Sequence, residues 1–481
     1  MYDLIPLKAT HGIHSSSHRT PHKVAIRYGD RSVTYKQLVD RMKRVSRGAL
    51  AFNGKAAIVA KNSIEYLEVL FGVSDVGVPV VTINPKNTQA EVIAALKDSD
   101  TRVLFIDENL LKEEYANYVD TIITFGSNYD SWIDGNEPIL YYNEFPDDTI
   151  YNIVYSSGTT GNPKGICIPH RTRALVSITM ALDYKTMGCN DTMLLLVSFF
   201  NGGGNGSLLT TLNNGGTVII GTQMHPDYIM RMVETYSVTG LFLVPALTHM
   251  IINTQSCHKY DKSSLKVIVS IAAPFDTPLK KQALEFFNCD IWDLYGTTEH
   301  GPVTALKVGS SMPIDSVGLP ISYSTVKVIS DRGLECEPNE VGEVYAQTST
   351  MFQGYLNSKR ADRFVAVGDL GYKDDDGYLF LVGRKNDLII SAGTNIYPEE
   401  VESVLNKCPG VVESAVVGTP DDRWGEIVTA FIVGAPEIDP LMYCKNNLAS
   451  YKMPRKIFYI DSIPRNDAGK ILRKNLRKHY K

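Results

Sequence analysis

The sequence predicts an α/β protein with a large N-terminal body of mixed, largely parallel sheets and covering helices, a small antiparallel β subdomain closing it, and a small C-terminal α+β domain. Three observations carry this expectation. The chain has 481 residues, more than one ordinary hydrophobic core organises. Apolar β-branched runs alternate with amphipathic stretches over most of its length. The spacing of strands and turns then changes twice, near Gly333 and near Leu388.

In chain order, the body pattern comprises residues 78–83, 89–97, 103–106, 150–155, 174–183 and 193–199. After Gly333 the strands shorten around turn residues. A Pro338-Asn339 corner precedes 342–347, and Asp374-Asp375-Asp376-Gly377 precedes 378–382, as expected of antiparallel hairpins. From Leu388 a βαββ-like order follows: a strand at 388–391, a helix from Pro398, strands at 411–417 and 427–433, and a last strand at 456–460. Pro398 suits a first helical turn, Glu399 and Glu400 suit its positive end, and Val401, Val404 and Leu405 share one side. The expected domains are residues 1–385 and 386–481.

With 48 Lys and Arg against 53 Asp and Glu, the net charge of −5 argues against binding nucleic acid or an acidic membrane surface. The basic tail at 470–481 reads as a solvated helix face or a local phosphate-facing end. Seven scattered cysteines lack C-x-x-C spacing, which implies a reducing compartment. The N-terminal residues lack a basic start followed by an apolar stretch, and no apolar run is long enough to span a membrane. A soluble, unprocessed cytoplasmic protein is expected.

Chemistry is concentrated first in Tyr155-Ser156-Ser157-Gly158-Thr159-Thr160-Gly161-Asn162-Pro163-Lys164-Gly165, directly after an apolar strand. Glycines let backbone N–H groups converge on phosphate oxygens, while four hydroxyls and a lysine add donors. The segment is not a Walker A loop, since Pro163 and Gly165 stand where glycine and a hydroxyl are needed. Tyr295-Gly296-Thr297-Thr298-Glu299 offers an aromatic face, hydroxyls and a carboxylate able to hold Mg²⁺.

The first of these segments resembles the phosphate loop of the adenylate-forming superfamily, which includes acyl-CoA synthetases, aryl-CoA ligases, nonribosomal adenylation domains and luciferases. Further matches follow in the family's order and span nearly the whole chain. They run from Thr34-Tyr35-Lys36-Gln37-Leu38 through Gly77-Val78-Pro79 and Asn84-Pro85 to Arg465-Asn466-Asp467-Ala468-Gly469-Lys470. The resemblance implies ATP, Mg²⁺ and coenzyme A as cofactors and a small carboxylic acid as substrate. The acid is activated as its acyl-adenylate and then passed to a thiol.

By the same resemblance, Ser156, Ser157, Gly158, Thr159, Thr160, Gly161 and Lys164 bind phosphate. Tyr295 stacks on adenine, Gly296 and Thr297 belong to the nucleotide site, Thr298 meets phosphate and Glu299 holds the metal. Asp369, in Val367-Gly368-Asp369, accepts the ribose hydroxyls; Arg384 lies near ribose or phosphate; Asn386 is the hinge. Lys470 acts in the first half-reaction on a mobile C-terminal domain. After rotation the loop from Ser391 replaces it, with Gly393 bordering the pantetheine tunnel.

Several positions depart from the family pattern. Val367 replaces a threonine, and Asn386 stands where many relatives carry Asp or Lys. In Phe200-Asn201-Gly202, Asn201 occupies a gate that is often aromatic or histidine. Gly202 stands where amino-acid-activating relatives place an aspartate, which disfavours an α-amino acid. Ile271, in Ser270-Ile271-Ala272-Ala273-Pro274, replaces a glycine and should reshape the acyl pocket toward a compact aromatic, alicyclic or short-to-medium acid.

Tyr451-Lys452-Met453-Pro454 looks like CoA ligases, and Gln353-Gly354-Tyr355-Leu356-Asn357 shows no extra segment of the fatty acyl-AMP ligase kind. Two alternatives stay open: a stand-alone enzyme loading a separate phosphopantetheinyl carrier protein, and a non-catalytic nucleotide-binding scaffold.

Overall fold

The computed structural model describes residues 6–140, 144–156, 164–391, 394–421, 423–465 and 471–478. Two large sheets form the body. In the seven-stranded sheet, Ile150–Ser156, Val80–Ile83, Lys55–Val59, Thr101–Asp107 and Thr121–Phe125 run parallel in that spatial order. Lys164–Pro169 and Gly354–Tyr355 add an antiparallel edge.

The nine-stranded sheet has a parallel centre of Asp290–Thr297, Val267–Ser270, Gly240–Leu243, Thr192–Leu195, Thr217–Ile220 and Val24–Tyr28. Antiparallel strands close both of its edges. Central strands such as Val80–Ile83 and Gly240–Leu243 are buried along their whole length, as strands covered on both faces must be.

Local signals agree with this packing. Helix Tyr35–Ala49 starts at a capping box in which Thr34 and Gln37 satisfy each other's backbone N–H, worth about 1 kcal/mol. Tyr35 is fully buried and its hydroxyl donates to the carbonyls of Leu212 and Gly216, tying this helix to the nine-stranded sheet. The Thr34–Leu38 motif is therefore a packing device here. Residues 193–199 were expected to be one strand, but extended pairing ends at Leu195. Asn62 holds the continuation from both sides, accepting from Phe199 N–H and donating to Val197 C=O.

The expected small antiparallel sheet is present as Ser324–Ile329, Gly342–Thr348, Val365–Lys373 and Leu379–Arg384. Asn339, at the expected corner, has φ +66°. Val367 packs with Val303, Val328, Val344 and Leu379, so an apolar side chain suits that position.

The four-stranded sheet ends at Arg384 and the next begins at Ile389. That last sheet contains an additional strand, Thr394–Ile396, and the long hairpin Val411–Asp421 with Gly425–Gly434, while Lys456–Tyr459 joins it in parallel. Helix Pro398–Leu405 covers it with Val401 and Leu405 buried, the face that the sequence pattern assigned. All seven cysteines are free thiols, and among the described residues no helix is long and apolar enough to cross a membrane.

Candidate active site

One turn connects the parts of the site. Strand Asp290–Thr297 delivers Tyr295 and Thr297, and the chain then folds back into Gly301–Lys307. The fold-back leaves no room at Gly296, where a β-carbon would lie 2.2 Å from the carbonyl oxygen of Gly301. His300 anchors the turn. Its Nε2 faces the Val365 carbonyl at 3.1 Å and its Nδ1 faces the Thr297 hydroxyl at 2.8 Å. Burial lowers the imidazole's basicity, consistent with a neutral ring that donates from Nε2 and accepts at Nδ1. The Thr297 hydroxyl is thus engaged in holding this turn.

Tyr295 leads to the expected ribose ligand. Its hydroxyl donates to Asp369 Oδ2 at 2.6 Å, while Arg384 Nε lies 2.7 Å from Asp369 Oδ1. Asp369 and Arg384 are direct cross-strand partners, so the antiparallel register fixes this pair. Burial, reinforced by the neighbouring carboxylate, raises the Tyr295 hydroxyl well above its usual range and keeps it a donor.

Glu299 leads to the phosphate loop. Its Oε1 accepts from the Tyr355 hydroxyl at 3.2 Å, and the Lys164 ammonium stands 5.1 Å from the centre of the Tyr355 ring. Burial and the Glu299 carboxylate push Tyr355 up to about 12. The Phe352 N–H donates to the Glu299 carbonyl at 2.6 Å, so the segment carrying Tyr355 is docked on this turn. Ser156 and Lys164 pair across adjacent antiparallel strands. Ser157, Gly158, Thr159, Thr160 and Gly161 lie outside the described residues, as do Gly393 and Lys470.

Thr298 leads to the expected acid pocket. A β-carbon on Gly202 would lie 3.3 Å from Thr298 Cγ2, and one on Gly203 would lie 3.3 Å from Ile271 Cδ1. Phe200 precedes this glycine run, and its carbonyl accepts from the Thr82 hydroxyl at 2.8 Å. Asn201 caps helix Gly202–Asn213 by accepting from Gly204 N–H at 2.9 Å. Its amide oxygen is thereby occupied by the backbone. Opposite, Ala272 has φ +72°, a left-handed conformation disfavoured for any residue with a β-carbon, and Ala273 follows it out of the strand end.

Of the described part of the expected set, Asp369, Arg384, Lys164, Gly202 and Ile271 are brought together around residues 295–299, directly or through one neighbour, whereas Asn386 lies apart in the turn after Arg384. Tyr355, Asn62, Thr82 and His300 are organising residues that the sequence reading passed over. Tyr355 lay in a segment read only for the absence of an insertion, whereas a tyrosine next to a glycine in a two-residue strand is itself a signal of close packing.

Fit to Mg²⁺ follows from the donor chemistry. Among the described residues no cluster of three or more His, Cys, Asp or Glu is arranged to hold a metal ion. Glu299 offers one carboxylate, which suits an ion whose remaining oxygens come from nucleotide phosphates and water.

The AMP-binding enzyme family matches residues 13–356, and the AMP-binding enzyme C-terminal domain matches residues 400–470. The chain is 33% identical over 480 residues to the fatty acid–[acyl-carrier-protein] ligase ScoC of Streptomyces coeruleorubidus, covering 94% of this chain and 92% of that protein. It is 30% identical over 477 residues to 2-succinylbenzoate–CoA ligase of Bacillus subtilis, covering 95% of each.

Its fold superposes on ATP-bound MatB from Rhodopseudomonas palustris with TM-score 0.91 at 26% identity, covering 98% of this chain and 99% of that one. The o-succinylbenzoate CoA synthetase MenE of Bacillus subtilis, in complex with its acyl-adenylate intermediate, superposes with TM-score 0.88 at 29% identity, over 97% and 98% of the two chains. The chain belongs to the AMP-binding enzyme family, within the adenylate-forming superfamily.

Proposed function

We propose that this protein is an ATP-dependent carboxylic acid–CoA ligase that works through an acyl-adenylate. The observation that carries the reading is that residues 295–299 touch, in one turn, the Asp369–Arg384 pair, the Tyr355–Lys164 pair and the glycine run beside Ile271. Nucleotide, phosphate and acid are thereby offered adjoining places.

In the first half-reaction a carboxylate oxygen attacks the α-phosphorus of ATP and pyrophosphate leaves. In the second, a thiolate attacks the acyl carbon and AMP leaves. Tyr295 supplies an aromatic face for the base, Asp369 accepts the ribose hydroxyls and Arg384 orients Asp369. Lys164, Thr298 and the loop around Ser157–Gly161 meet the phosphates. Glu299 would hold Mg²⁺, which when bound offsets phosphate charge. Lys470 stabilises the charge that builds on the α-phosphate, and Gly393 borders the thiol's path.

Asn386 divides the adenylating body, residues 1–385, from a mobile domain, residues 386–481. Ile271 narrows the acid site, favouring a compact acid. The cytoplasm is the compartment that supplies this chemistry, and the seven free cysteines suit it.

The similarity to ScoC favours a second reading, in which the acyl acceptor is the phosphopantetheine of a separate carrier protein. Acid-dependent ATP–pyrophosphate exchange tests adenylation, and Lys470→Ala should abolish it. Product mass with coenzyme A or with a phosphopantetheinylated carrier then identifies the acceptor. A thioester on the carrier alone overturns the CoA reading, and no exchange with any acid overturns both.

A further inference from the structure

Among the described residues three cationic side chains are deeply buried, and two have carboxylates to meet them. Lys280 lies 2.9 Å from Asp293, and Arg473 lies 2.5 Å from Glu402 and 3.0 Å from Glu399. Arg173 is the third. It is 4% exposed, and no carboxylate among the described residues pairs with it. Its Nη1 donates to the Gly202 carbonyl at 3.1 Å, and its Nε and Nη2 reach one acceptor, Asn152 Oδ1, both at the long distance of 3.4 Å. Burial lowers the guanidinium only to about 10, so it stays charged at neutral pH. A buried charge without a counter-charge is unfavourable and calls for an anion.

The surroundings show where that anion would come from. Arg173 lies against the glycine-rich start of helix Gly202–Asn213, where a β-carbon on Gly206 would sit 3.9 Å from Nη1 and 3.3 Å from Val176 Cγ1. The neighbouring glycines, Gly202 and Gly203, adjoin Thr298 and Ile271. The Gly202 backbone, which accepts from Arg173 on one side and adjoins Thr298 on the other, thus links Arg173 to the residues of the expected acid pocket. Around Arg173 lie further fully buried polar groups: Asn152 Nδ2, which has no protein partner, and the amide of Asn205 and the hydroxyl of Tyr151, which face each other. Three of these, Asn152 Nδ2, Asn205 Nδ2 and the Tyr151 hydroxyl, can donate a hydrogen bond.

We infer that Arg173 is a specificity-determining residue that receives a second carboxylate of the acid, so that the substrates are short dicarboxylic acids. One carboxylate is adenylated and the other is held by Arg173, with Asn205 and Tyr151 beside it. Ile271 keeps the connecting chain short. The inference rests on the proposed acid-ligase function and deepens it by naming the substrate class.

The test compares acids matched in length, butyrate with succinate and valerate with glutarate, by kcat/KM for pyrophosphate release in the full-length enzyme. The wild type should prefer the dicarboxylic member of at least one pair by about tenfold or more, the scale of a hydrogen bond to a charged group. Arg173→Gln should remove that preference through the KM of the dicarboxylic acid while ATP binding is unchanged, and Arg173→Lys should restore part of it.

Equal use of both members by the wild type overturns the inference, whatever the variants do. Equal loss for both acids in Arg173→Gln, with ATP binding intact, also overturns it and assigns Arg173 to holding the helix. Release with monocarboxylic acids alone sinks this inference and leaves the ligase reading standing. No release with any acid in the series, or in a wider panel of carboxylic acids, sinks both.

Discussion

Lys385 and Asp387, two positions apart, are held from opposite sides: Lys385 Nζ lies 2.8 Å from Glu343 in the four-stranded sheet, and Asp387 Oδ2 lies 3.3 Å from Arg473 in the C-terminal helix Arg473–Lys478. Asn386 between them makes up the rest of a single 3₁₀ turn. A rotation of the last domain against the body would concentrate its dihedral change there, because both neighbours are tied. Proline at 386 fixes φ near −65° and restricts the residue before it. Asn386→Pro should slow thioester formation by roughly tenfold or more and spare acyl-adenylate formation. Quenched single turnovers of the two half-reactions measure this; equal slowing of both would remove the hinge from Asn386.

The Tyr295–Asp369–Arg384 arrangement leads to a nucleotide-specific outcome. Asp369→Asn leaves the shape intact but removes the charge that pairs with Arg384 and the strong acceptor for Tyr295 and ribose. Loss of a charged hydrogen bond costs about 1.5–3 kcal/mol, or roughly 10- to 150-fold in affinity. The KM for ATP should rise on that scale while the KM for the acid holds. Tyr295→Phe, which deletes one donor, should cost less, on the order of fivefold. Titration of AMP into each variant separates binding from turnover, and an unchanged AMP affinity in Asp369→Asn would exclude Asp369 from the ribose site.

Much of this was legible because local and global signals agree. The strands around 150–155 and 342–347, the helix starting at Pro398 and the antiparallel closing sheet all carry their own periodicity or turn chemistry. What was not legible depends on distant partners. Residues 193–199 have the composition of a single strand, yet Asn62, more than a hundred residues earlier, captures their second half. The polar environment of Arg173 is likewise assembled from Tyr151 and Asn152 on one strand and Asn205 on a helix, so no spacing rule could reveal it. Asn201 stands at the position that the resemblance gives to a gate, and the structure adds that its side chain caps the helix that follows.

Ile271 and its neighbour Ala272 separate specificity from strain. Ile271 Cδ1 is close to where a side chain at Gly203 would begin, so Ile271→Gly should enlarge the acid site and shift preference toward longer acids. Removing the side chain's packing against the core should also cost about 2–4 kcal/mol of stability. Ala272→Gly relieves a left-handed alanine, worth about 1–2 kcal/mol, against about 0.4–1 kcal/mol of added unfolded-state freedom. The net is a modest gain in stability. Chemical denaturation together with an acid panel checks both, and an unaltered acid profile in Ile271→Gly would dissociate Ile271 from the pocket.

His170 gives the protein an acid-sensitive core. Its ring is fully buried between Phe145 and Tyr151, with centroids at 4.8 Å and 5.3 Å, and its Nδ1 accepts from Ala9 N–H at 3.2 Å. Burial lowers its pKa from 6.5 to about 4. The unfolded chain therefore takes up a proton as pH falls below about 6.5 while the folded protein does not until about 4. Between those values the unfolded state binds more protons, so the contribution of His170 is fully present above pH 6.5 and is lost on acidification. Across that window the loss is about 3 kcal/mol. His170→Gln should be less stable than the wild type at pH 7 because it disturbs the packed ring, yet its unfolding free energy should fall less steeply between pH 6 and pH 4.5. The difference in slope should be about 1.4 kcal/mol per pH unit, one proton's worth. Urea denaturation of both proteins at several pH values measures it, and parallel slopes would place the acid sensitivity in groups other than His170.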